Sequence, residues 1–137
     1  MSRLLAVAHQ TSESPEFVEA VVSAAVAGPE VRDVVLLIPA TPVRHFATWV
    51  EGEAQVVAKE RADRAAERLR GEGVSVVDVL IGDAHPYEAV IDALAGDEFE
   101  AVIISTFPPG MSRWLGMNVV QRLERTIDMP VIHVVAN

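Results

Sequence analysis

The chain has 137 residues and no cysteine, which excludes disulfides, thiolate metal sites and a cysteine nucleophile. Its formal net charge of −9 disfavours binding to nucleic acid or anionic lipid, because both need a clustered basic surface. No stretch approaches the roughly 18 uninterrupted apolar residues of a membrane span, and the apolar run at the start is too short for a signal peptide. We therefore expect a soluble, cytoplasmic protein that folds as one domain over residues 1–137.

Three of the predicted strands contain an unbroken apolar run, which is typical of a strand buried on both faces: Leu4 to Ala8, Val34 to Ile38 and Ala101 to Ile104. The predicted strands are Arg3 to His9, Val34 to Ile38, Val74 to Ile81, Ala101 to Thr106 and Val131 to Ala136.

Four amphipathic segments alternate with these strands and predict helices. They run from Pro15 to the Gly28-Pro29 stop, from Val50 to Arg70, from Tyr87 to Leu94 and from Ser112 to Asp128. Ser14 and Ser112 are suited to cap the first and last helices, and Gly73 helps to end the second. Regular alternation with right-handed crossovers predicts an α/β three-layer sandwich, in which a five-stranded parallel sheet lies between two helical layers.

Three loops should gather at the carboxyl edge of this sheet: His9 to Ser12, Pro39 to Pro42, and Ser105 to Arg113. Ligands of open α/β sheets bind at that edge, where the strand order reverses. With the strand order 3-2-1-4-5, the first and third loops flank this point. The predicted ligand-binding residues are His9, Gln10, Thr11, Pro39, Ser105, Thr106, Gly110, Met111, Ser112 and Arg113.

The third loop offers a candidate anion site at the start of the last helix. Gly110 lets the backbone approach a ligand, the free amides around Met111 to Trp114 face the loop, and the helix dipole favours negative charge. Arg113 could add a bidentate contact to a phosphate oxygen. In the alternative interpretation, Ser112 only caps its helix and Arg113 pairs with a surface acid. The residues alone leave both interpretations open.

The four histidines are not spaced as metal ligands. His9 lies at the predicted switch point, where it either contacts a ligand or bonds to the loop backbone. His133 alternates within the last strand and is predicted to be a core or interface residue, while His45 and His85 are assigned to a solvated loop and a local turn. The standard dehydrogenase, P-loop, serine hydrolase and zinc protease motifs are missing, which favours a protein without enzymatic activity.

Four segments, taken together and in order, resemble the universal stress protein family over the whole chain. They are Leu4 to Thr11, Val79 to Asp83, Ala101 to Thr106 and Met129 to Val135. The resemblance implies a 3-2-1-4-5 sheet of the adenine nucleotide alpha hydrolase type, which in that family often binds ATP. It also implies a homodimer paired through Val131 to Ala136, an apolar edge strand that needs a cover.

The nucleotide motif of that family is altered here. His9 stands where nucleotide-binding members carry an aspartate. Ser105 and Pro108 stand at the first two glycine positions of their Gly-x2-Gly-x9-Gly-Ser/Thr motif, and Met117 follows Gly116 where a hydroxyl is expected. The strand-loop-helix geometry is kept, so a different anionic ligand could use it.

Three functions follow as hypotheses. The first is a non-enzymatic, homodimeric sensor or regulator that binds ATP, another adenine nucleotide or another phosphorylated metabolite at the crevice. The second is a dimeric scaffold that binds no nucleotide, which Pro108 and Pro109 favour because they remove two amide donors. The third is a slow nucleotide hydrolase or phosphotransferase, for which Asp83 and His9 are the candidate metal ligand and base.

Overall fold

The computed structural model describes residues 3–8, 11–26, 31–39, 53–82, 86–106 and 117–136. Strands and helices alternate along this part of the chain, as the sequence predicts. The elements are β1 (Arg3–Val7), α1 (Pro15–Val26), β2 (Asp33–Pro39), α2 (Glu53–Gly71), β3 (Ser75–Gly82), α3 (Pro86–Ala95), β4 (Ala101–Thr106), α4 (Met117–Thr126) and β5 (Val131–Val135). The predicted starts of two helices, at Val50 and Ser112, lie outside the described residues.

All five strands run parallel in the order β3-β2-β1-β4-β5, which confirms the predicted fold class and strand order. The central strand β1 pairs with β2 on one side and with β4 on the other. Val7 near its end is in register with Leu37 and with Ile104. The carboxyl ends of the three central strands therefore meet at one edge of the sheet.

Each face of the sheet has its own hydrophobic core, because successive side chains of a strand point to opposite faces. On one face, buried strand residues such as Leu4 and Ile103 pack with α1 and α2. On the other face, Leu5 and Ile104 pack with α3 and α4. Since both faces of the three central strands are covered, β1, β2 and β4 are apolar over most of their length, which is the pattern that predicted them.

Local signals fix the ends of two helices. The Ser14 hydroxyl accepts a hydrogen bond from the Phe17 amide at 3.2 Å, so Ser14 caps α1 as predicted. Gly73 follows α2 with a φ of 90°, a conformation that favours glycine, and the Val74 amide then donates to the Leu69 carbonyl at 3.0 Å. This turn leads the chain from α2 directly into β3.

Gly82 lies where α3 approaches the sheet most closely. A Cβ atom at this position would lie 2.8 Å from the Cβ of Ala89 and 2.9 Å from Cδ1 of Leu37. Real Cβ atoms do not approach other atoms so closely, so the packing of α3 against β2 and β3 depends on a residue without a side chain.

The two edges of the sheet differ. At the β3 edge, a register shift leaves Val77 without a partner on β2, and the Asp78 carboxylate accepts the Val79 amide at 2.8 Å. A bulge and a charged side chain both discourage the addition of another strand. At the β5 edge, Ile132 and Val135 are 40% and 43% exposed. Val77 and Ile81 on β3 are exposed as well, at 46% and 37%, so the edges differ in the bulge and the charged side chain, and the β5 edge is the less protected of the two.

No helix among the described residues is both long and apolar enough to cross a membrane.

Candidate functional site

The candidate site lies at the carboxyl edge between β1 and β4, where the strand order reverses. The chain leaves β1 towards α1, which covers one face of the sheet, while the helix that follows β4 covers the other face. Two neighbouring strands are therefore followed by helices on opposite faces of the sheet, and we call the carboxyl edge between β1 and β4 the crevice. This is the usual place for a ligand in an open α/β sheet.

A buried hydrogen bond between Thr11 and Ser105 joins the two sides of the crevice. The two hydroxyl oxygens are 2.7 Å apart, and the side chains are 3% and 0% exposed. Ser105 is the second-last residue of β4, and Thr11 opens the turn that leads to α1, with its carbonyl accepting the Ser14 amide at 3.0 Å. The structure thus brings together two predicted site residues that are 94 positions apart. Their role as ligand contacts stays a prediction.

Within the described residues, the Thr11–Ser105 pair has one proton more than its own hydrogen bond uses. Two hydroxyl groups carry two protons, and the single hydrogen bond between them uses one. Neither side chain has a second hydrogen-bond partner within the described part of the chain. Since buried polar groups are almost always paired, the remaining proton needs an acceptor, which a ligand oxygen, a water molecule or a residue outside the described ranges can supply.

A second buried hydroxyl lies next to the first but on the other face of the sheet. Thr106, which ends β4, is 4% exposed, and its Oγ1 lies 2.7 Å from Nε2 of His133 on β5. His133 is half-buried and pairs in register with Ile104. His133 was not among the predicted site residues; strand alternation together with the register between β4 and β5 places it on the same face as Thr106.

Positive charge lies close to the turn after β1. Arg64 on α2 donates through Nε to Oε2 of Glu13 at 3.1 Å. Burial lowers the pKa of the Arg61 guanidinium, the charge of Arg64 lowers it further, and Glu13 acts in the opposite direction. An arginine stays charged at neutral pH all the same. These two arginines of α2 were not among the predicted site residues, because the sequence shows only a charged helix face.

The other predicted site residues are placed as follows. Pro39 ends β2 at the same edge of the sheet, is buried, and pairs in register with Gly82. It brings no hydrogen-bonding side chain to the crevice. His9, Gln10, Gly110, Met111, Ser112 and Arg113 lie outside the described residues. Across the described ranges, no group of three or more histidine, cysteine, aspartate or glutamate residues could hold a metal ion.

No protein-family model and no curated protein sequence matches the chain. Solved structures do match. The universal stress protein from Archaeoglobus fulgidus in complex with dAMP is 18% identical, with a TM-score of 0.67 over 98% of this chain and 97% of that one. Another structure of a universal stress protein from Archaeoglobus fulgidus is 16% identical, with a TM-score of 0.66 over 98% of this chain and 93% of that one.

A protein of the universal stress protein family from Burkholderia pseudomallei is also similar. It is 16% identical, with a TM-score of 0.64 over 96% of this chain and 94% of that one. At such identities the likeness concerns the fold, and at that level the predicted resemblance is confirmed. The chain has the fold of the universal stress proteins along almost its whole length.

Proposed function

We propose that the chain, which has the fold of the universal stress proteins, is a regulatory protein that binds an adenine nucleotide or another phosphorylated metabolite between β1 and β4. The observation that carries this proposal is the buried Thr11–Ser105 pair, which keeps one proton without an acceptor among the described residues and can donate it to a ligand at that crevice. Phosphate oxygens are strong acceptors. The dAMP complex of the Archaeoglobus fulgidus protein supports the proposal, because that protein shares the fold.

The proposed activity is binding, not turnover. The sequence contains none of the standard motifs of nucleotide hydrolysis, acyl transfer or metal-dependent hydrolysis. In the described part of the site, the hydroxyls of Thr11 and Ser105 pair with each other, and no general base lies against either of them. A cytoplasmic location belongs to the same proposal.

We also propose that two copies pair through β5 as a homodimer. The exposed apolar side chains of Ile132 and Val135 lie on this edge strand. The β3 edge is less suitable for pairing with a second copy. Val77 bulges out of the strand ladder, and the Asp78 carboxylate accepts a hydrogen bond from the Val79 amide. Pairing two β5 strands would cover the apolar edge and extend each sheet into that of its partner.

Calorimetric titration of the pure protein with AMP, dAMP and ATP tests the ligand proposal, with thermal unfolding as a second readout. A nucleotide at 100 times its dissociation constant should stabilise the fold by about 2.7 kcal/mol, which raises the melting temperature by several degrees. The double variant Thr11→Val/Ser105→Ala should bind the nucleotide on the order of tenfold more weakly, since it loses a hydrogen bond to a charged group. Removing both partners together avoids leaving one hydroxyl buried and unpaired.

The matched control removes a hydroxyl pair far from the crevice. Tyr87 donates to Oγ1 of Thr126 at 3.1 Å on the exposed side of α3 and α4, so Tyr87→Phe/Thr126→Val should bind nucleotide like the wild type. Equal affinities for the site variant and the wild type would contradict the assignment of the crevice. Absence of binding by all three nucleotides would contradict the adenine-nucleotide form of the proposal. If other phosphorylated metabolites also failed to bind while the dimer was retained, the nucleotide-independent scaffold would be favoured.

A further inference from the structure

The hydrogen bond between Thr106 and His133 can be formed in two ways, and only one of them suits an anionic ligand. Thr106 has one hydroxyl proton, and a neutral imidazole has one N–H on either of its two nitrogens. The two side chains share one hydrogen bond of 2.7 Å, and within the described residues neither makes another. As in the Thr11–Ser105 pair, one proton is left over, and its position depends on the histidine tautomer.

If Nε2 of His133 carries the proton, it donates to Oγ1 of Thr106, and the threonine keeps its own proton for a ligand. If Nε2 is bare, Thr106 donates its proton to the histidine and presents only lone pairs at the end of β4. Lone pairs repel an anionic oxygen, whereas a hydroxyl proton binds it. The tautomer of His133 therefore decides whether Thr106 attracts or repels a phosphate.

We infer that His133 is a positioning residue for the ligand: its Nε2–H holds Oγ1 of Thr106 and directs the threonine proton at an anionic oxygen of the bound molecule. This inference rests on the proposed function and specifies which chemical group the site recognises. Ser105 and Thr106 point to opposite faces of the sheet, and each belongs to a pair with a spare donor. The anionic group consequently lies over the end of β4, between these two donors.

Nitrogen-15 NMR of the His133 side chain tests the tautomer directly, because protonated and bare imidazole nitrogens resonate at different frequencies. In the complex with AMP, at a pH where the imidazole is neutral, we expect the proton on Nε2. A bare Nε2 in that complex would overturn the inference, since Thr106 would then have no proton to give.

A comparison of AMP with adenosine, which has no phosphate group, distinguishes the loss of the anionic contact from general damage to the fold. His133→Leu should weaken AMP binding on the order of tenfold, the effect of losing one hydrogen bond to a charged group, and leave adenosine binding unchanged. Thr106→Val should act in the same way. Thr106→Ser, which keeps the hydroxyl, should restore AMP affinity to within about threefold of the wild type.

The outcomes distinguish this inference from the function on which it rests. If the wild type binds AMP and His133→Leu binds it equally well, the inference is wrong but the proposed function stands. If His133→Leu weakened the binding of AMP and of adenosine equally, the inference would also be wrong, because the Thr106–His133 pair would then have a purely structural role. Failure of the wild type to bind AMP, ATP and inorganic phosphate would contradict the proposed function and this inference together.

Discussion

Ser105 and Thr106 are as deeply buried as the apolar residues before them in β4, so their hydroxyl groups must find partners inside the protein. Ser105 pairs with Thr11 on one face of the sheet, and Thr106 pairs with His133 on the other. A buried hydroxyl without a partner would cost about 1–3 kcal/mol. The two pairs therefore stabilise the strand end, and each keeps one proton that has no acceptor among the described residues.

Gly82 is predicted to be intolerant of any side chain. Gly82→Ala would place a Cβ 2.8 Å from Ala89 and 2.9 Å from Leu37, so α3 or the sheet must move. Overpacking of this kind should lower the free energy of unfolding by about 1–3 kcal/mol, measured by chemical denaturation. Gly71→Ala is the control, since a Cβ there meets no atom within 4 Å and alanine is the better helix former. Equal stability of the two variants would contradict the close packing of α3.

The cap of α1 is predicted to contribute measurably to stability. Ser14→Ala removes the acceptor of the Phe17 amide and should lower the free energy of unfolding by about 1 kcal/mol. Ser23→Ala is the matched control, because Ser23 is exposed within the same helix and alanine has the higher helix propensity. The measurement is urea denaturation followed by circular dichroism. If Ser23→Ala lowered the free energy of unfolding by as much, the effect of Ser14→Ala would not come from the cap.

The elements could be predicted from the sequence because both faces of the three central strands are covered, which makes β1, β2 and β4 largely continuous apolar runs between amphipathic helices. The order of the strands came from the family resemblance, and the Thr11–Ser105 contact depends on it, since only that order makes β1 and β4 neighbours. Alternation alone gives the face on which His133 lies. Its contact with Thr106 also requires the register between β4 and β5, which local patterns do not contain.

The proposed dimer can be tested with one substitution on each edge of the sheet. Val135 on β5 and Val77 on β3 are 43% and 46% exposed, so replacing either by lysine should cost the single subunit little. Val135→Lys should dissociate the dimer, because it places charges in the paired β5 strands, whereas Val77→Lys should leave the dimer intact. Sedimentation equilibrium measures the mass. A monomeric wild type, or a dimeric Val135→Lys variant, would contradict pairing through β5.

The bulge at Val77 and the neighbouring Asp78 also limit how far such an assembly can grow. A subunit with two accepting edges would expose a fresh edge after every addition and could build an open filament. In the proposed dimer the two β5 edges pair with each other. Both outer strands of the joined sheet are then copies of β3. Growth would stop at two subunits. The β5 edge, which favours aggregation in a single subunit, would be buried in a contact that adds no further subunit.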